Sequence, residues 1–132
     1  MATIYYDKDA DLKVLKGHTV AVIGYGIQGR GQALNLRDSG VSVVVAQRSG
    51  GPNYDLAKRD GFTPLSAAEA TRKAALVILL TQDTLQAQLY RDAIAPNLRP
   101  GMALGFSHGF AILYGLVKPP KDVDVIMVAP KG

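Results

Sequence analysis

Gly24, Gly26 and Gly29 stand in G-x-G-x-x-G spacing directly after the apolar run Val20-Ala21-Val22-Ile23. That arrangement can hold a pyrophosphate. Gly24 lets the chain turn tightly. Gly26 carries no Cβ, so the backbone can approach the phosphates. Gly29 lets the following helix pack close to the strand. The helix N-terminus then offers free N–H groups and the positive end of its dipole. Tyr25, Ile27 and Gln28 fill the intervening positions. The spacing alone also fits an ordinary glycine-rich turn. Its place after a buried strand and before a helical pattern is what points to a dinucleotide.

Such a site reads the adenosine ribose at the end of its second strand. NAD enzymes put an acid there, about 20 residues past the glycines, to bond the 2′-hydroxyl. Here the strand ends Ala46-Gln47-Arg48-Ser49, and the next acid is Asp55. Arg48 can face a 2′-phosphate and Ser49 can donate to it, so the pattern favours NADPH over NADH. The other reading of Arg48 is a solvated loop residue. His108, in Ser107-His108-Gly109, follows a later apolar run. That puts it at the carboxyl edge of a strand, where sites in α/β proteins lie. A lone histidine there can serve chemistry or structure.

The elements that must position these residues alternate along the chain. Strands are expected at Val20–Ile23, Val41–Ala46, Leu76–Leu80, Ala103–Phe106 and Val125–Ala129. Val43-Val44-Val45 is apolar throughout, as a strand covered on both faces should be. A helix is expected over 27–39, with Ala33 and Leu34 inward and Gly40 as its stop. Residues 48–53 read as a loop and 54–60 as a short helix ended by Gly61. Ser66-Ala67-Ala68-Glu69 is a capping box that opens another helix. Residues 84–94 read as an amphipathic helix with Leu85, Leu89 and Ile94 on one face. Alternation of this kind means right-handed βαβ units. The expected fold is α/β and Rossmann-like: a doubly wound, mostly parallel sheet with helices on both faces.

Bulk properties narrow the class. The 132 residues, 48% hydrophobic and 20% charged, suit one soluble α/β domain with a real core. There is no cysteine, so disulfides and thiol chemistry are excluded. His18 and His108 are too few for a histidine-built metal site. No apolar run approaches the ~20 residues of a membrane span, and no signal-peptide pattern opens the chain. The net charge is +4, but the basic residues are scattered and no aromatic-basic cluster occurs, so nucleic acid is not an expected partner.

Taken together, Tyr5-Tyr6-Asp7-Lys8-Asp9-Ala10-Asp11-Leu12, the Gly24–Gly29 turn running on to Ala33-Leu34-Asn35-Leu36-Arg37-Asp38-Ser39-Gly40, Ile94-Ala95-Pro96-Asn97-Leu98, His108-Gly109-Phe110 and the stretch from Asp122 to Lys131 resemble the N-terminal NADPH-binding domain of ketol-acid reductoisomerases, also called acetohydroxy-acid isomeroreductases. The resemblance runs from end to end and implies an NADP-dependent oxidoreductase of branched-chain amino-acid biosynthesis, the route to isoleucine and valine. These enzymes convert a 2-acetohydroxy acid into a 2,3-dihydroxy acid by a magnesium-assisted alkyl shift followed by reduction with NADPH. The resemblance assigns the pyrophosphate turn to Tyr25, Ile27 and Gln28 with the three glycines. It assigns the 2′-phosphate loop to Arg48, Ser49, Gly51 and Asn53, and the nicotinamide side to Asp83, Thr84, Leu85 and Gln86. It implies His108 as the catalytic histidine and Lys131 as a lysine at the active-site edge.

Several positions depart from the family pattern. Gly51 stands where many relatives have a phosphate-binding serine. Gln82 replaces a usual proline, and Ala111 a usual polar residue. The family's magnesium ligands are carboxylates on a helical C-terminal domain, which is expected to be absent from these 132 residues. Asp7, Asp9 and Asp11 read as a solvated, helix-starting charge run rather than a metal site. The expectation is therefore a cytoplasmic NADPH-binding domain, 1–132, without turnover of its own and with no metal ligands. Its expected partners are the acetohydroxy acid, a C-terminal helical domain or second chain, and further copies of itself. The alternatives are a stand-alone dinucleotide-binding module and an unrelated Rossmann reductase. The apolar segment Phe110, Ile112, Leu113, Tyr114, Leu116 and Val117 can be an exposed patch that a partner covers, or a core helix.

Overall fold

Each β-branched apolar run becomes a strand, and all of them lie parallel. The computed structural model describes residues 1–130. Within it β1 (Thr19–Ile23), β2 (Ser42–Ala46), β3 (Leu76–Leu79), β4 (Ala103–Phe106) and β5 (Asp124–Met127) form one sheet in the order β2-β1-β3-β4-β5. Val22 sits between Val45 on one side and Ile78 on the other, which fixes the register of the centre. The chain steps outward from β1 to β2, then crosses back over β1 to β3. The order therefore reverses between β1 and β3, and a crevice opens there beyond the carboxyl ends of the strands.

Helices cover both faces. On one side, α1 (Ile27–Asp38) and α2 (Pro52–Arg59) enclose a core of Val22, Tyr25, Ala33, Val45 and Ala57. On the other, α3 (Ala67–Lys73), α4 (Asp83–Leu89) and the short α5 (Phe110–Leu113) lie over a larger core that includes Ile23, Leu79, Ile94, Leu104 and Phe106. The doubly wound, Rossmann-like architecture expected from the alternation of elements is present.

Local chemistry explains the helix ends. Gly40 (φ +83°) ends α1: its N–H donates to the Arg37 carbonyl, and that of Val41 donates to Leu36. Gly61 (φ +94°) ends α2 in the same way, through Lys58 and Ala57. Both are Schellman endings, which need a left-handed residue that glycine adopts without strain. The Ser66 capping box forms as expected. The Glu69 N–H donates to Ser66 Oγ at 3.2 Å, and the Ser66 N–H to Glu69 Oε2 at 3.1 Å.

The differences from expectation have local causes. Helix α2 starts at Pro52 rather than 54, because proline suits the first helical turn, so the loop after β2 is shorter. In α1, Ala33 is buried but Leu34 is only half-buried. The helix expected over 84–94 begins at Asp83 and widens into a π-helical turn, Tyr90–Ile94. Its inward positions are then Gln86, Tyr90 and Ile94. Leu85 is 48% exposed and does not join Leu89 and Ile94 on the core side. The last strand ends at Met127, is exposed along its length, and forms a sheet edge. Of the apolar segment after His108, only Ala111 and Val117 are buried, while Phe110, Ile112, Leu113, Tyr114 and Leu116 are exposed. The core-helix reading is overturned, because α5 is a single turn that inserts one small residue.

Candidate functional site

The three motif glycines are held for different reasons. Gly24 has φ +102°, and a Cβ there would lie 2.9 Å from the Leu80 carbonyl oxygen. At Gly29 a Cβ would fall 1.9 Å from the Gly24 carbonyl oxygen, so α1 can meet β1 only through a glycine. Nothing lies within 4 Å of a Cβ at Gly26. The fold itself does not demand glycine there. The position opens onto free space beside the start of α1, where Gly26 caps the helix with no side-chain hydrogen bond. The first N–H groups of a helix have no intrahelical acceptors, so those of Ile27, Gln28 and Gly29 are available to an anion.

Tyr25 does not face that space. Its side chain is fully buried, its hydroxyl donates to Asp60 Oδ2 at 2.8 Å, and its backbone N–H donates to Gln47 Oε1 at 2.8 Å. Burial and the Asp60 carboxylate push its phenol up to about 12. The hydrogen bonds from Arg30 and Tyr25 hold Asp60 down at about 2. Tyr25 thus shapes the turn from beneath. Ile27 is exposed, and Gln28, also exposed, accepts weakly from Gln32, which reaches Ser107 Oγ at 3.2 Å.

A cleft of about 560 Å³ opens beyond the carboxyl ends of β1 and β2. Gly24, Gln47, Arg48, Ser66, Thr81 and Leu85 line it. Arg48 therefore stands at its wall, and the exposed Leu85 is a cleft residue rather than a core one. Ser49 is exposed on the same loop, Gly51 caps α2, and Asn53 is exposed in the first turn of α2. Gln47, Ser66 and Thr81 are additions that sequence reasoning did not single out. For Ser66 and Thr81 the signal was available, since Ser66 directly precedes α3 and Thr81 lies in the short link between β3 and α4. For Gln47 there was none, because its partner Tyr25 is distant in the chain.

The segment Asp83–Gln86 lies at the opposite side of the crevice. Gln86 is buried, and its Nε2 donates to the Thr81 carbonyl at 3.0 Å. Its Oε1 and the Thr81 Oγ1 are buried without a hydrogen-bond partner. Buried polar atoms in that state are costly unless a bound group satisfies them. Thr84 is exposed beside them. His108, 68% exposed at the end of β4, has Nδ1 3.5 Å from Asp83 Oδ2 and 3.3 Å from the Phe110 N–H, which donates to it. A ring nitrogen that accepts from the Phe110 N–H has no proton to give a carboxylate, so Asp83 is a neighbour of Nδ1 rather than its hydrogen-bond partner, and Nε2 makes neither contact. Lys131 lies outside the described residues. Among the described residues no group of three or more histidines or carboxylates could hold a metal ion, and no helix is long and apolar enough to cross a membrane.

The strand ends therefore bring together a glycine turn open at a helix start, a loop that carries Arg48, two orphaned polar atoms and a histidine close to a carboxylate. The chain as a whole is similar to known proteins. Residues 14–132 match the family described as acetohydroxy acid isomeroreductase, NADPH-binding domain. The chain is 53% identical over 132 residues to the ketol-acid reductoisomerase (NADP(+)) of Pyrobaculum aerophilum and 55% identical to that of Pyrobaculum neutrophilum. In each case it is matched along its full length but spans 40% of the relative. Among solved structures, an NADH-preferring ketol-acid reductoisomerase from an uncultured archaeon superposes with a TM-score of 0.94 at 43% identity. That match covers 99% of this chain and 41% of the other.

Proposed function

This chain belongs to the acetohydroxy acid isomeroreductase family as its NADPH-binding domain, and from that premise we propose that it presents NADPH to a 2-acetohydroxy acid for reduction to the 2,3-dihydroxy acid. The observation that carries the proposal is the contrast among the glycines. Gly24 and Gly29 are required by packing within the chain, whereas Gly26 keeps space free at the uncapped start of α1. A pyrophosphate fits that space and the N–H groups beside it. The unpartnered Gln86 Oε1 and Thr81 Oγ1 suit the polar nicotinamide end.

When bound, NADPH supplies the hydride of the reduction. The chain's own residues bind and orient it. Arg48 and Ser49, with no acid before Asp55, favour a 2′-phosphate over a free 2′-hydroxyl. Gly51 and Asn53 complete that loop, with one hydroxyl fewer than a serine at 51 would give. His108 is proposed to hold or move a proton at Nε2, its ring oriented by the Phe110 N–H, which donates to Nδ1. Lys131 is proposed to stand at the same edge.

The described residues do not fit a magnesium site. The metal ligands that the family reaction needs are proposed to come from a helical C-terminal domain or a second chain, and the 132 residues alone are proposed to lack turnover. The exposed Leu113, Tyr114 and Leu116 suit cover by such a partner or by another copy. The whole is read as a cytoplasmic enzyme. The reading is tested by titrating the protein with NADPH and NADH and following nicotinamide fluorescence. Saturable binding with NADPH the tighter ligand is expected; no binding, or NADH the tighter, would contradict it.

A further inference from the structure

The ion pair beneath the glycine turn is more elaborate than packing requires. Asp60 caps the end of α2 and accepts from the Tyr25 hydroxyl at 2.8 Å, from Arg30 Nε at 2.8 Å and from Arg30 Nη2 at 3.2 Å. Its carbonyl accepts from Arg37 Nη1, and the Arg37 guanidinium lies over the Phe62 ring, 4.9 Å from the centroid. Phe62 in turn meets Tyr25 edge-on at 5.8 Å. Tyr25 sits between Gly24 and Gly26, and Arg30 sits in the second turn of α1.

One carboxylate thus grips both the turn and the helix whose free N–H groups the turn leads into. We propose that Asp60 is a positioning residue for the dinucleotide: acting through Tyr25 and Arg30, it fixes the angle between the glycine turn and the start of α1. The proposal rests on the functional reading above, in which that helix start faces a pyrophosphate. Two glycines flank Tyr25, so the backbone there has wide freedom unless something removes it. The Tyr25 N–H is fixed by Gln47 and its ring by Asp60, and these restraints act at opposite ends of the residue. Phosphate binding by backbone N–H groups depends on their direction, so a small rotation of the turn is costly.

A purely structural clamp would weaken every ligand of the domain alike. A clamp on the turn would weaken only ligands that use it. NADPH carries a pyrophosphate, whereas adenosine 2′-monophosphate carries the 2′-phosphate without one. The experiment measures the affinity of both for wild type, Asp60→Asn and Tyr25→Phe, well below each protein's melting temperature. Tyr25→Phe removes one hydroxyl and keeps the ring, so it guards against a misfolded Asp60→Asn. Both variants are expected to bind NADPH about fivefold to tenfold more weakly, because the N–H groups of the turn lose their fixed direction. Their affinity for adenosine 2′-monophosphate is expected to stay within about twofold of wild type, because that ligand makes no hydrogen bond with the turn. Equal losses on both ligands, or unchanged NADPH binding, would overturn the proposal. Failure of wild type itself to bind NADPH would instead overturn the functional reading beneath it.

Discussion

Tyr25 and Asp60, 35 residues apart in sequence, share a 2.8 Å hydrogen bond that ties the glycine turn to the far end of α2. The residues at the near end of α2 follow the Arg48-Ser49 loop. One helix therefore spans the distance between the glycine turn and the Arg48-Ser49 loop. A short, well-ended helix is a stiff spacer, and both of its ends are defined, by Pro52 at the start and Gly61 at the stop.

The same pair has a pH signature. Asp60 is held at about 2, against an unfolded value of about 3.9, so its contribution is present above pH ~4 and is lost as pH falls toward 2. Tyr25 is raised to about 12, against about 10 unfolded, so its contribution is present below pH ~10 and is lost as pH rises toward 12. The difference in melting temperature between wild type and Asp60→Asn should be constant between these limits. It should shrink below pH ~4 and above pH ~10. A difference that instead changes around neutrality would show that other groups govern this clamp.

The glycines should separate under substitution by alanine. Gly29→Ala puts a methyl group 1.9 Å from a backbone oxygen and should cost upwards of ~3 kcal/mol in stability, read by denaturant unfolding. Gly26→Ala meets nothing and should change stability by less than ~1 kcal/mol. Its NADPH affinity should nevertheless fall at least about tenfold, since the methyl group enters the phosphate space. Comparable stability losses for both would mean that Gly26 is a packing glycine.

Arg48→Asp should reverse or abolish the preference for NADPH over NADH. A carboxylate there repels a 2′-phosphate, and losing one guanidinium–phosphate contact costs on the order of 1–3 kcal/mol. Calorimetry with the two cofactors measures this. An unchanged ratio would make Arg48 a solvated loop residue.

Purified 132-residue protein should convert no acetolactate to dihydroxy acid with NADPH and magnesium, because the described residues offer no metal-binding cluster. Magnesium-dependent product, detected by mass spectrometry, would show that the chain suffices by itself.

The parts of this molecule legible from sequence are those whose meaning is local. Gly29, Gly40 and Gly61 each answer a demand set within a few residues, and the Ser66–Glu69 box closes on itself, whereas the space at Gly24 is also limited by the distant Leu80. The strands declared themselves through β-branched runs. What could not be read depends on distant partners. Nothing near Tyr25 says that its ring turns inward to Asp60 or that Gln47 holds its N–H. Leu85 fits a helical stripe with Leu89, but the π-helical turn at Tyr90–Ile94 moves the inward face to Gln86. His108 was visible as a strand-end histidine, whereas its nearness to Asp83 exists only once β3 and β4 are neighbours.

The central claim is that the Gly24–Gly29 turn and the Arg48–Gly51 loop are the two phosphate-binding segments of one NADPH site. The most direct measurement is a titration of ¹⁵N-labelled protein with NADPH, following backbone amide resonances. The amides of Gly26, Ile27, Gln28, Arg48 and Ser49 should shift together and saturate with a single affinity, and NADH should leave those of Arg48 and Ser49 nearly unmoved. Shifts that bypass the turn, or no saturable shift at all, would contradict the account.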